Sequence, residues 1–74
     1  MNNQSNVVHI GVARRWRVMR YLIECALIRK GLKENIIDYA VKQAKRLNIN
    51  GYSASESMRL AIGLAERIHI GQLR

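Results

Sequence analysis

Isolated glycines stand at positions 11, 31, 51 and 71, and the chain contains no proline. This punctuation constrains the fold more than any other feature of the sequence. Each interval between glycines is long enough for one helix and a turn, and no segment sustains the period of two that a half-buried strand needs. The expected fold is all-α: a small three-helix domain over residues 11–74, behind a flexible or extended N-terminal tail over residues 1–10. The pieces differ from one another residue by residue, so the spacing is punctuation and not an internal repeat.

The first helix is expected from Val12 to Lys30. Wound at about 100° per residue, Val12, Trp16, Met19, Ile23, Ala26 and Leu27 form one apolar stripe. Its middle, "YLIECALI" (21–28), is apolar on nearly every side except at Glu24. That pattern suits either a central helix or one that also meets a second subunit. Gly31 then supplies a left-handed stop. The second helix, Lys33 to Leu47, is expected to bury Ile36, Ile37, Tyr39, Ala40, Ala44 and Leu47, and to expose Glu34, Asp38, Lys42 and Lys45. "NING" (48–51) ends it. The third opens with "YSASESM", where Ser53 and Glu56 match a capping box and Ser55 is a competing cap. Ala54, Met58, Ala61, Leu64, Ala65 and Ile68 form its expected inner stripe, with Ile62 at the edge. Gly63, inside this helix, weakens it by about 1 kcal/mol relative to alanine.

A chain of 74 residues buries only about 60% of the surface its unfolded form exposes, and folds of this size usually gain support from disulfides, a metal or a partner subunit. Cys25 is the only cysteine, which excludes an intrachain disulfide, and His9 and His69 do not complete a zinc spacing with it. No metal or cofactor is expected, and a homodimer is the expected supplement. The N-terminus lacks a signal-peptide pattern, and the apolar runs fall well short of the roughly 18 residues of a spanning helix. A cytoplasmic protein is expected.

The net charge of +8 is unevenly spread: residues 1–33 carry seven basic side chains and one acidic, residues 34–74 six and four. Such an imbalance speaks to partners, and nucleic acid is the commonest partner of a small, strongly basic domain. The basic residues concentrate in "ARRWRVMR" (13–20), where Arg14, Arg15, Arg17 and Arg20 surround Trp16. Only Arg20 has an acidic residue one helical turn ahead, Glu24. Planar guanidinium groups bind phosphate oxygens in pairs, so a cluster without internal carboxylates suits an anionic partner. Starting the helix at Val12 also sets these arginines at its positive end, where a bound phosphate would offset both. Lys42, Lys45 and Arg46 form a second basic group on a face shared with Glu34 and Asp38. It reads as solvated surface able to add phosphate contacts.

The segment "AKRLNINGYSASESMRLA" (44–61) has the outline of a helix, a turn and a polar-started helix. In a helix-turn-helix the start of the second helix reads base edges, which makes Ser55 and Arg59 candidates here, alongside Ser53 and Ser57. The turn is longer than the usual three or four residues of that motif. Two segments, "NVVHIGV" before the first two helices and "ALIRKG" before the last two, give the chain an outline that resembles the ribbon-helix-helix repressors. That resemblance implies a dimer whose short strands pair between subunits and enter a DNA groove, with residues 6–12 as the N-terminal strand. Neither segment alternates polar and apolar residues, so the three-helix domain stands first and the ribbon-helix-helix-like dimer second.

The chain has no nucleophile–base pairing and no glycine-rich phosphate loop, so it is not expected to be an enzyme. The function expected is that of a small DNA-binding protein, a transcriptional repressor or a plasmid or phage accessory factor, that contacts double-stranded DNA through the arginine cluster. The alternative is a protein-interaction module, a small subunit or inhibitor that docks an acidic protein surface. Membrane-surface binding through residues 12–30 comes third, because Glu24 and the apolar later turns suit a protein core better.

Overall fold

A computed structural model describes the backbone of residues 2–73 and the side chains of residues 11–72. Three helices follow one another: α1 (Asn2–Ile28), α2 (Glu34–Ile49) and α3 (Ala54–Leu73). No strand occurs among the described residues. The three-helix reading therefore holds, and both strand registers of the ribbon-helix-helix alternative are corrected. Residues 6–12 and 26–28 lie inside α1, and residues 29–31 form the turn after it.

Two turns of the same design set the topology. At the end of α1, Gly31 takes φ +80°, its N–H donates to Ile28 O at 2.9 Å, and the Leu32 N–H reaches back to Leu27 O at 3.1 Å. At the end of α2, Gly51 takes φ +106°, and the Tyr52 N–H donates to Leu47 O at 3.1 Å. Each is a left-handed glycine stop that satisfies the orphan carbonyls of the helix end. Leu27 and Leu32 are both buried, so the first turn also closes on an apolar contact. α3 starts where the capping pattern predicted, with the Glu56 N–H donating to Ser53 Oγ at 3.1 Å. The reciprocal half of the box does not form, because the Glu56 carboxylate accepts from Arg59 instead.

The turns fold the chain up, down and up. Arg20 meets Asp38 and Trp16 meets Asn48, so α1 runs antiparallel to α2; Lys30 meets Glu66, so α1 and α3 run alongside in the same direction. The bundle measures 53 × 19 × 17 Å. Its length comes from overhang at both ends. α2 is only about 24 Å long, while α1 begins some 20 Å before Trp16 and α3 runs on past Glu66.

Met19, Ile23 and Leu27 of α1 close over Ile36, Ile37 and Val41 of α2. Between α2 and α3 the seam is made of small residues: Ala40 and Ala44 on one side, Ser57, Ala61 and Ala65 on the other, all fully buried. Small side chains let two helices approach closely, and α3 keeps most of its expected stripe: Ala61 and Ala65 are buried, and Ala54, Met58 and Ile62 pack on the core. The α3 seam centres on Ser57, Ala61 and Ala65, while Leu64 and Ile68, expected inside, stay 36% exposed at its edge. Tyr39 is likewise 39% exposed, and Val41 occupies the buried position in its place.

Candidate nucleic-acid interface

The basic surface is built on one junction. At the end of the bundle where α1 passes the α2–α3 turn, Asn48 Oδ1 accepts from Trp16 Nε1 and from an Arg15 guanidinium nitrogen, each at 3.3 Å. Asn48 Nδ2 donates to Tyr52 O at 2.9 Å, which ties the same side chain to the turn. Lys45, one turn before Asn48, holds its ammonium 5.4 Å from the centre of the Trp16 ring. A cation over an indole face is held by the ring quadrupole. Trp16 is half-buried and packed on the core, so its indole holds Lys45 over its face and donates to Asn48 from one fixed position.

Arg14 and Arg17 project from the neighbouring turns of α1; both are exposed, and neither has an ion-pair partner among the described residues. Arg20 differs from them. Its guanidinium contacts Glu24 at 3.3 Å and Asp38 at 3.1 Å, so two carboxylates offset its charge. Lys42 and Arg46 are exposed on α2, and Ser55 is exposed in the first turn of α3. Arg59 is paired with Glu56 and turns toward a different surface, an open groove of about 340 Å³ lined by Leu47, Leu60, Gly63, Leu64 and Arg67. Of the nine residues singled out in the sequence, the structure thus joins Arg15 and Lys45 around Trp16 and Asn48. Arg14 and Arg17 are exposed on the same stretch of α1, Arg17 on the opposite flank of the helix from Arg15, and Arg59 lines a separate groove.

Sequence reasoning missed Asn48, which it read only as part of a helix stop. An amide one turn after a lysine, at a helix end facing a tryptophan, was the available signal. The dipole argument for the arginines also changes. With α1 beginning at Asn2, Arg14 lies more than three turns inside the helix, and the dipole acts only within the first turn. Any attraction of these arginines for an anion comes from their own charge and not from the helix end.

Elsewhere the chemistry is sparse. Cys25 is half-buried, and the Tyr21 pKa lies above the usual tyrosine value because a hydrogen bond to the Cys25 thiol favours the protonated phenol. Among the described residues no group of three or more His, Cys, Asp or Glu side chains could hold a metal ion. No helix among them is long and apolar enough to cross a membrane. His9 lies outside the described side chains. No family model, curated protein or solved structure matches this chain.

Proposed function

We propose that this chain is a small nucleic-acid-binding protein that grips the phosphates of double-stranded DNA through Arg14, Arg15, Arg17 and Lys45, in a regulatory or accessory role without a catalytic step. One contrast carries the reading. Glu24 and Asp38 face Arg20, Glu56 faces Arg59 and Glu66 faces Lys30, whereas these four cations, like Arg29, Lys33, Lys42, Arg46 and Arg67, have no carboxylate partner among the described residues. Two of the four are already oriented, Arg15 by Asn48 and Lys45 by Trp16. Cations held in place lose less freedom when an anion arrives, which raises what each contact contributes.

The test is fluorescence anisotropy with mixed-sequence duplex DNA at about 50 and about 200 mM salt, on protein freed of nucleic acid. Expected is binding whose log affinity falls steeply with log salt. Replacing Arg14, Arg15 and Arg17 together with alanine should flatten that slope by roughly three units at most. No binding at the lower salt would sink the proposal. A second reading, docking onto an acidic protein surface, is favoured by the groove in which Arg59 and Arg67 flank Leu60 and Leu64. Its sign would be a stoichiometric protein complex that survives nuclease.

A further inference from the structure

The groove between α2 and α3 combines an apolar floor with a basic rim. Leu47 of α2 and Leu60 and Leu64 of α3 line it, together with Arg59 and Arg67. Leu47 lies about 160° around α2 from Lys45, which meets Trp16 of α1. The groove therefore opens on a different side of α2 from the junction at Asn48. Gly63 completes the lining, and nothing in the fold requires a glycine there. It lies inside α3 without a positive φ, and no atom stands within 4 Å of the site a Cβ would occupy. Glycine weakens a helix interior relative to alanine, so this one leaves the floor open at a cost in stability.

Shape and charge together select the occupant. The groove is open, so it cannot enclose the roughly 70–90% of surface by which a small ligand is held. No strand edge occurs among the described residues, so an extended peptide would find no backbone partner, whereas a helix satisfies its own N–H and C=O groups. Arg59 and Arg67 stand eight positions apart, about 12 Å along α3, which matches carboxylates seven or eight residues apart on a second helix. Arg67 has no carboxylate partner among the described residues, and the five donors of Arg59 leave it able to take a second carboxylate beside Glu56. Duplex DNA does not fit, because leucines offer a phosphate nothing in exchange for its water. A second copy of the chain does not fit either, since Glu24, Asp38, Glu56 and Glu66 are already paired within the molecule.

We infer that the α2–α3 groove docks an acidic amphipathic helix of another protein, with an apolar side chain seated over Gly63 and flanking carboxylates on Arg59 and Arg67. The inference rests on the protein-docking reading, to which it gives a site and a partner chemistry, and it does not depend on phosphate binding by α1. The ridge of the incoming helix enters between Leu47 and the Leu60–Leu64 row, as ridges enter grooves wherever helices pack. The leucines supply the buried contact, and the arginines set which helices are accepted.

The probe is a labelled alanine-based peptide of about 18 residues, long enough to form a helix alone, with a leucine stripe flanked by two glutamates seven residues apart. Anisotropy is read on the full, nuclease-treated chain at about 150 mM salt, where loose attraction between charges is screened. Expected is a Kd of about 10–100 μM. Replacing the peptide's leucines with alanine keeps its charge and should weaken binding at least tenfold. Gly63→Leu keeps the charge of the protein and fills the floor, so it should hold or raise Tm and also weaken binding at least tenfold. Arg67→Gln should weaken it about three-fold, the size of one exposed ion pair. No binding at about 1 mM peptide, a concentration that detects even very weak association, would overturn the inference. So would a Gly63→Leu protein that binds as the wild type does, because charge alone would then hold the peptide. The protein with Arg14, Arg15 and Arg17 all changed to alanine should keep its peptide affinity. If it loses that affinity while Gly63→Leu keeps it, protein docking stands, but it belongs to α1 and the groove is not its site.

Discussion

The Trp16 indole N–H donates to Asn48 Oδ1 at 3.3 Å, across thirty-two positions of sequence. That one amide oxygen also takes Arg15, while its amide nitrogen holds the Tyr52 carbonyl. Asn48 therefore fastens α1, the end of α2 and the turn into α3 to each other. Removing it in Asn48→Ala leaves a partly buried indole donor and a turn carbonyl without partners, and should destabilise the protein by about 1–2 kcal/mol. Trp16→Phe removes the donor and part of the ring packed on the core, and should cost a similar amount. The double variant should fall short of the sum of the two, because both changes break the same bond. Urea unfolding followed by circular dichroism measures all three, and additive losses would show that the bond contributes nothing to stability.

Ser57 makes the opposite case. It is fully buried in the seam between α2 and α3, and its Oγ has no hydrogen-bond partner. A buried hydroxyl without a partner is a cost, and alanine is also the better helix former. Ser57→Ala should therefore stabilise the fold by about 1 kcal/mol and raise Tm by roughly 4–8 °C. Ser57→Leu should destabilise it by about 1–3 kcal/mol, because the alanine seam has no room for a larger side chain. Thermal unfolding of both variants checks this, and a destabilised Ser57→Ala would mean that the hydroxyl is bonded in solution.

Glycine substitutions should separate by position. Gly63 sits inside α3 with nothing within 4 Å of the site a Cβ would occupy, so Gly63→Ala should stabilise by about 1 kcal/mol. Gly51 has equally open surroundings but φ +106°. Gly51→Ala should lose about 1–2 kcal/mol through backbone strain alone. Equal effects in thermal melts would contradict the left-handed turn at 51.

These cases also mark what the sequence made legible. Gly31, Gly51 and the Ser53 cap act through local backbone chemistry, and local chemistry is written in consecutive residues. The α1 stripe of Met19, Ile23 and Leu27 was legible too, because its large side chains leave a clear period. The edge of the α3 stripe was not: Leu64 and Ile68 stay partly exposed, while Ser57 is buried in a seam to which Ala40 and Ala44 contribute from another helix. A period read along one helix carries no record of its neighbour's volume. At the candidate site, the arginine cluster was visible as composition. The division within it was not, since Asp38, which offsets Arg20, lies eighteen residues on and across a turn.

That division gives the sharpest prediction for binding. Arg17→Ala and Arg20→Ala each remove one positive charge from the same helix, so they change net charge equally. If phosphate meets the unpaired cations, Arg17→Ala should weaken DNA binding and lower the salt slope by about 0.9, the value for one lost phosphate contact. Arg20→Ala should leave the slope nearly unchanged, since its guanidinium is already engaged by Glu24 and Asp38. Anisotropy titrations of the two variants across salt make the comparison directly. Equal losses would mean that overall charge, and not a located surface, attracts the DNA. A larger loss for Arg20→Ala would mean that DNA competes the arginine away from its carboxylates, and the interface would then extend along α1 toward α2.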